Sequence, residues 1–543
     1  MFTRKSWKNL KIVASVFSTI ALTQFLGANT SAQAADKLVV RYGALEESAS
    51  LADLKKTVET GELPASLGTY TKRLNEQQRS FLVRGLKTRL PVNVVTLNRL
   101  LNTQLANTIL NDISTVLDRK DQAGVQAIRS GLILAANSPQ GLSALSFIDA
   151  YPSQNLEINV PQALKVARNL NMAFWRTQQF MLAINPRIDP RTTQQIRALD
   201  PTKPGSAQVE ILNLNLNDEK RQRNIPVDVY WSTATNTDKP VIVFSHGYGS
   251  TRSDLRYLAK HLASHGYVVA ALEHPGSNIT ANKGANSLKP QEFLARPQDV
   301  SFVLDELEKL NQTTDNPLKG KLATNQVMVV GYSFGGTTAL SLAGGEFDIS
   351  SLKQSCDQNA AKLTLVQGFL CVAKELPENS YQLRDQRIKK IVALNPATSF
   401  VFGETGLTKV QVPTLILTGS ADDITPALSE QITSFAKISS PKWLAAAVGG
   451  THLSVVDSEL TDGAAGKTKL SFSSREVVGK KSADVRKYVK AITLAMAAQS
   501  TPEASKYSAF LTPDYAQISS TPLFPFRLLT EIPPAAMGLI PGN

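Results

Sequence analysis

The strongest chemical signal in this chain is the stretch 327–336, VMVVGYSFGG. A β-branched run stops at Gly331-Tyr332-Ser333-Phe334-Gly335 and passes into a helical segment of small residues. A serine hydroxyl is a weak nucleophile at neutral pH and needs a base to take its proton. A G-x-S-x-G turn between strand and helix holds the serine on a strained backbone, exposed to such a base. Residues two positions to either side must then be small, which Gly331, Gly335 and the following Gly336 satisfy. Ser333 is the candidate nucleophile.

In α/β folds that carry such an elbow, the partners follow in chain order serine, acid, histidine. The chain has five histidines, and only His452 comes after Ser333. It stands in Gly449-Gly450-Thr451-His452-Leu453, a glycine loop after the last expected strand. The acid must orient the imidazole and stabilise its cation. Asp422 follows the apolar run VPTLILT and so leaves the carboxyl end of a strand, where α/β sheets form their crevice. Asp423 is the alternative, or caps the following helix. Two backbone N–H donors must stabilise the tetrahedral oxyanion. Phe334, directly after the serine, supplies one, and Tyr248 in Ser245-His246-Gly247-Tyr248-Gly249 supplies the other. His246 and His274 read as structural braces near the pocket, and His261 and His265 as helix-surface residues.

These residues need a scaffold. From 208 onward, strands alternate with helices: strands at 209–216, 225–231, 239–245, 267–273, 326–330, 388–394, 413–418 and 442–447, and helices at 252–265, 290–310, 337–343 and 484–498. The first two strands read as an antiparallel pair, and the alternation that follows implies a largely parallel sheet covered on both faces. The segment 344–386 is too long for a plain connection and is expected to form a partly helical cap beside the pocket. Residues 35–190 are helix-rich by apolar spacing at 50–61, 75–88, 92–102, 104–117, 122–136 and 161–183, with one strand at 38–42. With no histidine or cysteine they are poorly equipped for chemistry. A proline-marked linker at 191–206 joins them to a catalytic domain over 207–500, and a tail over 501–543 lacks usable periodicity.

Length and composition suit a globular protein: 543 residues, 42% hydrophobic. Arg4, Lys5, Lys8 and Lys11, an apolar stretch and Ala32-Gln33-Ala34 form a signal segment over 1–34, so export with cleavage near Ala34 is expected. In an oxidising compartment the only two cysteines, Cys356 and Cys371, are expected to pair. Closing so short a loop stabilises by about 3 kcal/mol in the chain-entropy model. The net charge of +13 is spread out except for Lys72, Arg73, Arg79, Arg84, Lys87, Arg89 and Arg99. That cluster reads as a solvated helix face or as a peripheral contact with an anionic membrane surface. Nucleic acid is disfavoured, since no aromatic-interleaved basic stripe accompanies it.

The run FSHGYGSTRSDLRYLAKHLASHGYVVAALEHPGSN, followed by GYSFGG, resembles the plasma-type platelet-activating-factor acetylhydrolases and the bacterial predicted dienelactone hydrolase group, over about residues 205–500. The front end resembles the uncharacterised helical domain that precedes such hydrolases in some exported bacterial proteins. The resemblance implies an α/β-hydrolase fold, a mostly parallel sheet with helices on both faces, preceded by a mainly α-helical domain. It implies a serine esterase or lipase acting on a small-molecule or lipid ester. Two departures stand out. Dienelactone hydrolases use cysteine where this chain has Ser333, and the acetylhydrolases carry their acid where this chain has Asn395, which moves the acid to Asp422. No cofactor or metal is implied. A peptidase or amidase with the same three residues, and an inert lipid- or partner-binding protein, are the rival readings.

Overall fold

Six apolar runs build the centre of the molecule. Pro240–Ser245 (β6) and Val268–Leu272 (β7) are buried along their whole length. The last six residues of Ala323–Tyr332 (β8), all but one of Ile388–Leu394 (β11), all of Thr414–Gly419 (β12) and the last four of Lys442–Ala447 (β13) are buried as well. Near-continuous apolar runs of this kind belong to parallel strands covered on both faces. They hydrogen-bond in the order β13-β12-β11-β8-β6-β7, every pair parallel. Val209–Asp218 (β4) and Arg223–Ser232 (β5) extend the sheet antiparallel beyond β7, and Phe526–Leu529 (β14) closes the other side antiparallel to β13. The whole is a nine-stranded sheet.

The computed structural model describes residues 35–540 except 44, 73, 91, 120–123, 170–171, 185–189, 282–287, 360–362 and 463–475. The expected signal segment and its cleavage point lie outside the described residues, as does Arg73. Among the described residues, no helix is long and apolar enough to cross a membrane. They divide into two compact units, one within 1–101 and 106–169, the other within 170–543 with 102–105.

In the second unit, two apolar cores lie on the two faces of the sheet. Met172–Ala183 (α1), Glu292–Gln312 (α3) and Phe334–Leu342 (α4) contribute to the first. Arg256–Ser264 (α2) and Ala483–Ala498 (α7) contribute to the second. This is the α/β-hydrolase fold. One helix is expected over 161–183, and two form: Val160–Asn169 in the first unit and α1 in the second. Phe180 and Met181 of α1 are fully buried in the sheet's own core, so α1 packs with the strands. The tail likewise builds into this unit. Its helices are short and opened by Pro513 and Pro534, and β14 is only four residues long, below the length at which periodicity can be read. His261 is buried at 4% exposure instead of lying on the surface of α2, a correction that follows from burial of both flanks of that helix.

Between α4 and β11, residues 346–382 form an insertion. A small hairpin pairs Glu346–Asp348 (β9) with Ser380–Gln382 (β10), and Ile349–Gln358 (α5) and Leu365–Leu370 (α6) stand between them. A disulfide joins Cys356 to Cys371. The first unit holds a three-stranded sheet, Leu45–Ser50 (β2), Lys37–Tyr42 (β1) and Asn155–Asn159 (β3) in that order, with helices around one core. Only β1 has a readable strand pattern; β2 is LEESAS and β3 is NLEIN. The helix Glu76–Lys87 has no fully buried residue, and its Phe81 is 69% exposed.

Candidate active site

The strand ends converge at one edge of the sheet. Ser245 pairs with Gly331, Tyr332 with Leu394, and Gly419 with Ala447, so β6, β8, β11, β12 and β13 deliver their following loops side by side. That carboxyl edge is where open α/β sheets form ligand crevices.

Ser333 sits at the turn between β8 and α4 with φ 54° and ψ −118°, a region that non-glycine residues rarely occupy. A side chain on Gly331 would overlap the Gly335 carbonyl, and one on Gly335 would overlap that of Ser245. His452 lies on the loop after β13, 4% exposed. Its Nε2 is 3.0 Å from Ser333 Oγ, and its Nδ1 is 2.7 Å from Asp422 Oδ2. Nδ1–H therefore donates to the carboxylate, which leaves Nε2 to accept the serine proton. Asp422 is buried on the loop after β12, whereas Asp423 is exposed.

The carboxylate is held by neutral donors. Asp422 Oδ1 accepts the N–H of Ile424 at 2.9 Å and of Thr425 at 2.7 Å, and the Thr425 hydroxyl lies 2.8 Å from Oδ2. Burial acts to lower the His452 pKa, and the charge and hydrogen bond of Asp422, with Glu476 behind, outweigh it, so the net shift is upward. Asn395, at the end of β11 with φ 45°, donates to the His452 carbonyl at 3.0 Å and accepts the Gly419 N–H at 3.0 Å. It ties the histidine loop to the strand that carries the acid. Gln178 of α1 donates to the Ser420 carbonyl at 2.8 Å, bracing the same acid loop.

The loop after β6 lies against the serine: a Cβ built on Gly247 would stand 3.3 Å from Ser333 Cβ. Tyr248 follows it directly. Phe334 is the first residue of α4, so its N–H belongs to the helix-start amides that have no intrahelical acceptor. The Phe369 ring of the insertion between α4 and β11 lies 5.1 Å from both the Tyr248 and the Phe334 rings, so the insertion packs against those two residues.

Glu476 and Gln178 are marked as part of the site by neither residue type nor spacing. Thr425 alone has a local cue, since it sits three residues after Asp422 in a turn of the kind aspartate side chains make. His246 and His274 lie behind the loop, both buried. His246 Nε2 accepts the His274 main-chain N–H at 2.9 Å, and His274 reaches Ser245 Oγ through Nε2 and Asp299 Oδ2 through Nδ1, each at 2.9 Å.

Two family models match the chain. One, described as an alpha/beta hydrolase of unknown function, covers residues 34–159, and one described as PET hydrolase-like covers residues 226–362. The chain is also similar to two proteins named platelet-activating factor acetylhydrolase. The Cavia porcellus protein is 28% identical over 152 residues, 22% of this chain and 35% of that protein. The Canis lupus familiaris protein is 30% identical over 148 residues, 20% of this chain and 33% of that protein. The chain thus spans about a third of the length of these relatives.

Proposed function

We propose that this chain is a serine hydrolase that cleaves carboxylic esters, of lipid or short-acyl type, through an acyl-enzyme on Ser333. One observation carries the reading: a single imidazole bridges Asp422 and a serine on a strained elbow, at 2.7 and 3.0 Å. In the first half-reaction, Ser333 Oγ attacks the acyl carbonyl and its proton passes to His452 Nε2. Asp422 stabilises the imidazolium. The oxyanion lies against the Phe334 and Tyr248 amides, each such donor contributing about 3 kcal/mol to the barrier reduction. Collapse breaks the ester C–O bond, and His452 returns the proton to the leaving alkoxide. Water then enters, gives its proton to His452, and attacks the acyl carbon, and Ser333 leaves as the alcohol.

The acetyl-hydrolase and PET-hydrolase names of the similar proteins support an ester as substrate. The aromatic wall of Phe334, Phe369 and Tyr248 suits a small acyl group. A p-nitrophenyl ester chain-length series, run beside short-acyl phospholipids and peptide amides, tests the reading. Ester turnover that is abolished by an organophosphonate bound at Ser333 is the expected result. Turnover of amides alone would replace it with the peptidase reading.

A further inference from the structure

Behind the elbow lies a polar cluster that this chemistry does not touch. Arg296 of α3 is completely buried, and its guanidinium reaches three separate segments. It donates to Ser277 Oγ at 2.8 Å, to Thr338 Oγ1 at 3.2 Å, to Ser245 Oγ at 3.3 Å and to the main-chain carbonyl of His246. Its Cζ also lies 4.6 Å from the centre of the Phe334 ring.

A buried guanidinium is expensive to desolvate, by several kcal/mol, unless its bonds are well made. The charges of Glu292 and Asp299 oppose that cost without outweighing it, so burial still pulls the guanidinium pKa down to about 9. The positions of its partners are informative. Ser245 and His246 lead straight into Gly247 and Tyr248. Thr338 and Phe334 belong to α4, which begins at the nucleophile. The two amides proposed for the oxyanion therefore hang from opposite sides of one rigid, planar group, whose five donors are fixed in a fork. Oxyanion donors act only when they lie within about 2.7–3.1 Å of where the charge develops, so a small drift between the two sides is costly.

We propose that Arg296 is a positioning residue for ester cleavage, clamping the loop after β6 to the start of α4 so that the Tyr248 and Phe334 amides converge on one oxyanion. The inference rests on the ester-hydrolase reading given above. Arg296 has no exposed surface to offer a substrate, so substrate binding is not its task.

The test compares Arg296→Met and Arg296→Lys with the unaltered full chain. Active sites are counted by stoichiometric phosphonate labelling, and kcat per labelled site, KM and the affinity of an alkyl trifluoromethyl ketone are measured. The ketone forms a tetrahedral adduct on Ser333 and so depends on the oxyanion donors. In Arg296→Met, kcat per site and ketone affinity should both fall about a hundredfold, while KM stays within about twofold. Arg296→Lys should recover part of the loss, because it keeps a charge and one bond but not the fork. An unchanged kcat per site, with only fewer sites or a lower Tm, overturns the proposal, as does a loss carried by KM. Should Arg296→Met fail to fold, the double variant Ser277→Ala with Thr338→Val removes two anchors and keeps the guanidinium. A several-fold drop in kcat at constant KM is then expected, and no drop overturns the clamp. Turnover retained by Ser333→Ala is a different result, and removes the ester-cleavage reading itself.

Discussion

Two Ser-His-Asp chains stand within one unit of this protein. In the first, Ser333, His452 and Asp422 are linked at 3.0 and 2.7 Å; in the second, Ser245, His274 and Asp299 are linked at 2.9 and 2.9 Å. Residue types and distances do not separate them. The carboxylates do. Among the described residues, Asp422 accepts hydrogen bonds from neutral groups besides His452. Asp299 is gripped by Arg221 at 2.7 Å and by Arg223 through two bonds of 2.8 Å. Burial outweighs the two guanidiniums, so the Asp299 pKa lies above its ordinary value, while their hydrogen bonds already engage both of its oxygens. The imidazoles respond in opposite directions. The His452 pKa rises, whereas burial, Arg296, Arg223 and Arg221 drive that of His274 far down. A ring whose pKa is driven down in this way is a poor base at neutral pH. The backbone completes the contrast, since Ser245 ends an extended strand with no exposure while Ser333 stands on a positive-φ turn. Three residues in a row make a proton relay only when the carboxylate has charge left for the imidazole and the serine can meet a substrate.

The largest test of this comparison removes each hydroxyl in turn. Ser333→Ala should lower p-nitrophenyl ester turnover by on the order of 10⁵-fold, leaving the residual catalysis of binding and oxyanion donors. Ser245→Ala should cost no more than about tenfold per folded molecule, because its hydroxyl only steadies a loop. Equal losses would break the distinction.

Removing the acids should separate kinetics from stability. Asp422→Asn is expected to reduce kcat by about 10³- to 10⁴-fold with little change in Tm, through the wrong imidazole tautomer. Asp423→Asn should lose at least a hundred times less. Asp299→Asn leaves Arg221 and Arg223 without their shared carboxylate, which should cost about 3–5 kcal/mol of unfolding free energy. Turnover per folded molecule should stay within about tenfold. Urea unfolding beside initial rates decides this, and a kinetic loss at Asp299 matching that at Asp422 would contradict it.

The pH profiles sharpen the same point. Below the His452 pKa the ring has no lone pair for the serine proton, so kcat/KM should fall as pH drops through a value above 6.5 and level off above it. His274 acts on stability instead. Its folded pKa lies well below 6.5, so the unfolded chain takes up the proton first. The stability it confers is full above about pH 6.5 and is lost as pH falls. His246 and His261 work in the same sense. The smallest expected effect follows: His274→Gln should flatten the acid decline measured by urea unfolding by up to about 1.4 kcal/mol per pH unit. A decline of unchanged steepness would mean that His274 is not held neutral.

The legible parts of this molecule are those with a local pattern. The six buried runs and their intervening helices are periodic enough to read, and so is the elbow, because a strand, three glycines and a serine are contiguous. His452 and Asp422 emerge from chain order together with the strand ends. The polar cluster behind the elbow is not readable that way, because it joins Arg221 and Arg223 on one hairpin to Asp299 on a distant helix, and Arg296 of that helix to Ser245, with no spacing to mark the meetings. The boundary near residue 190 misleads for a related reason. Apolar spacing marks α1 as a helix but not the core it enters, and Gln178 and Phe180 join it to the unit of the acid loop.

β14 gives the sheet a temporal order. It is drawn from residues 526–529, and the segment before it also holds the histidine loop, through the Val448 N–H to the Pro525 carbonyl at 2.8 Å. A chain emerging from the ribosome therefore has Ser333, Asp422 and His452 long before it has the strand that covers β13. Until then β13 is an open sheet edge, free to pair with another nascent chain. Synthesis interrupted before residue 526 leaves every reacting group translated and the base's strand unguarded, so such fragments are bound for aggregation or proteolysis rather than partial activity.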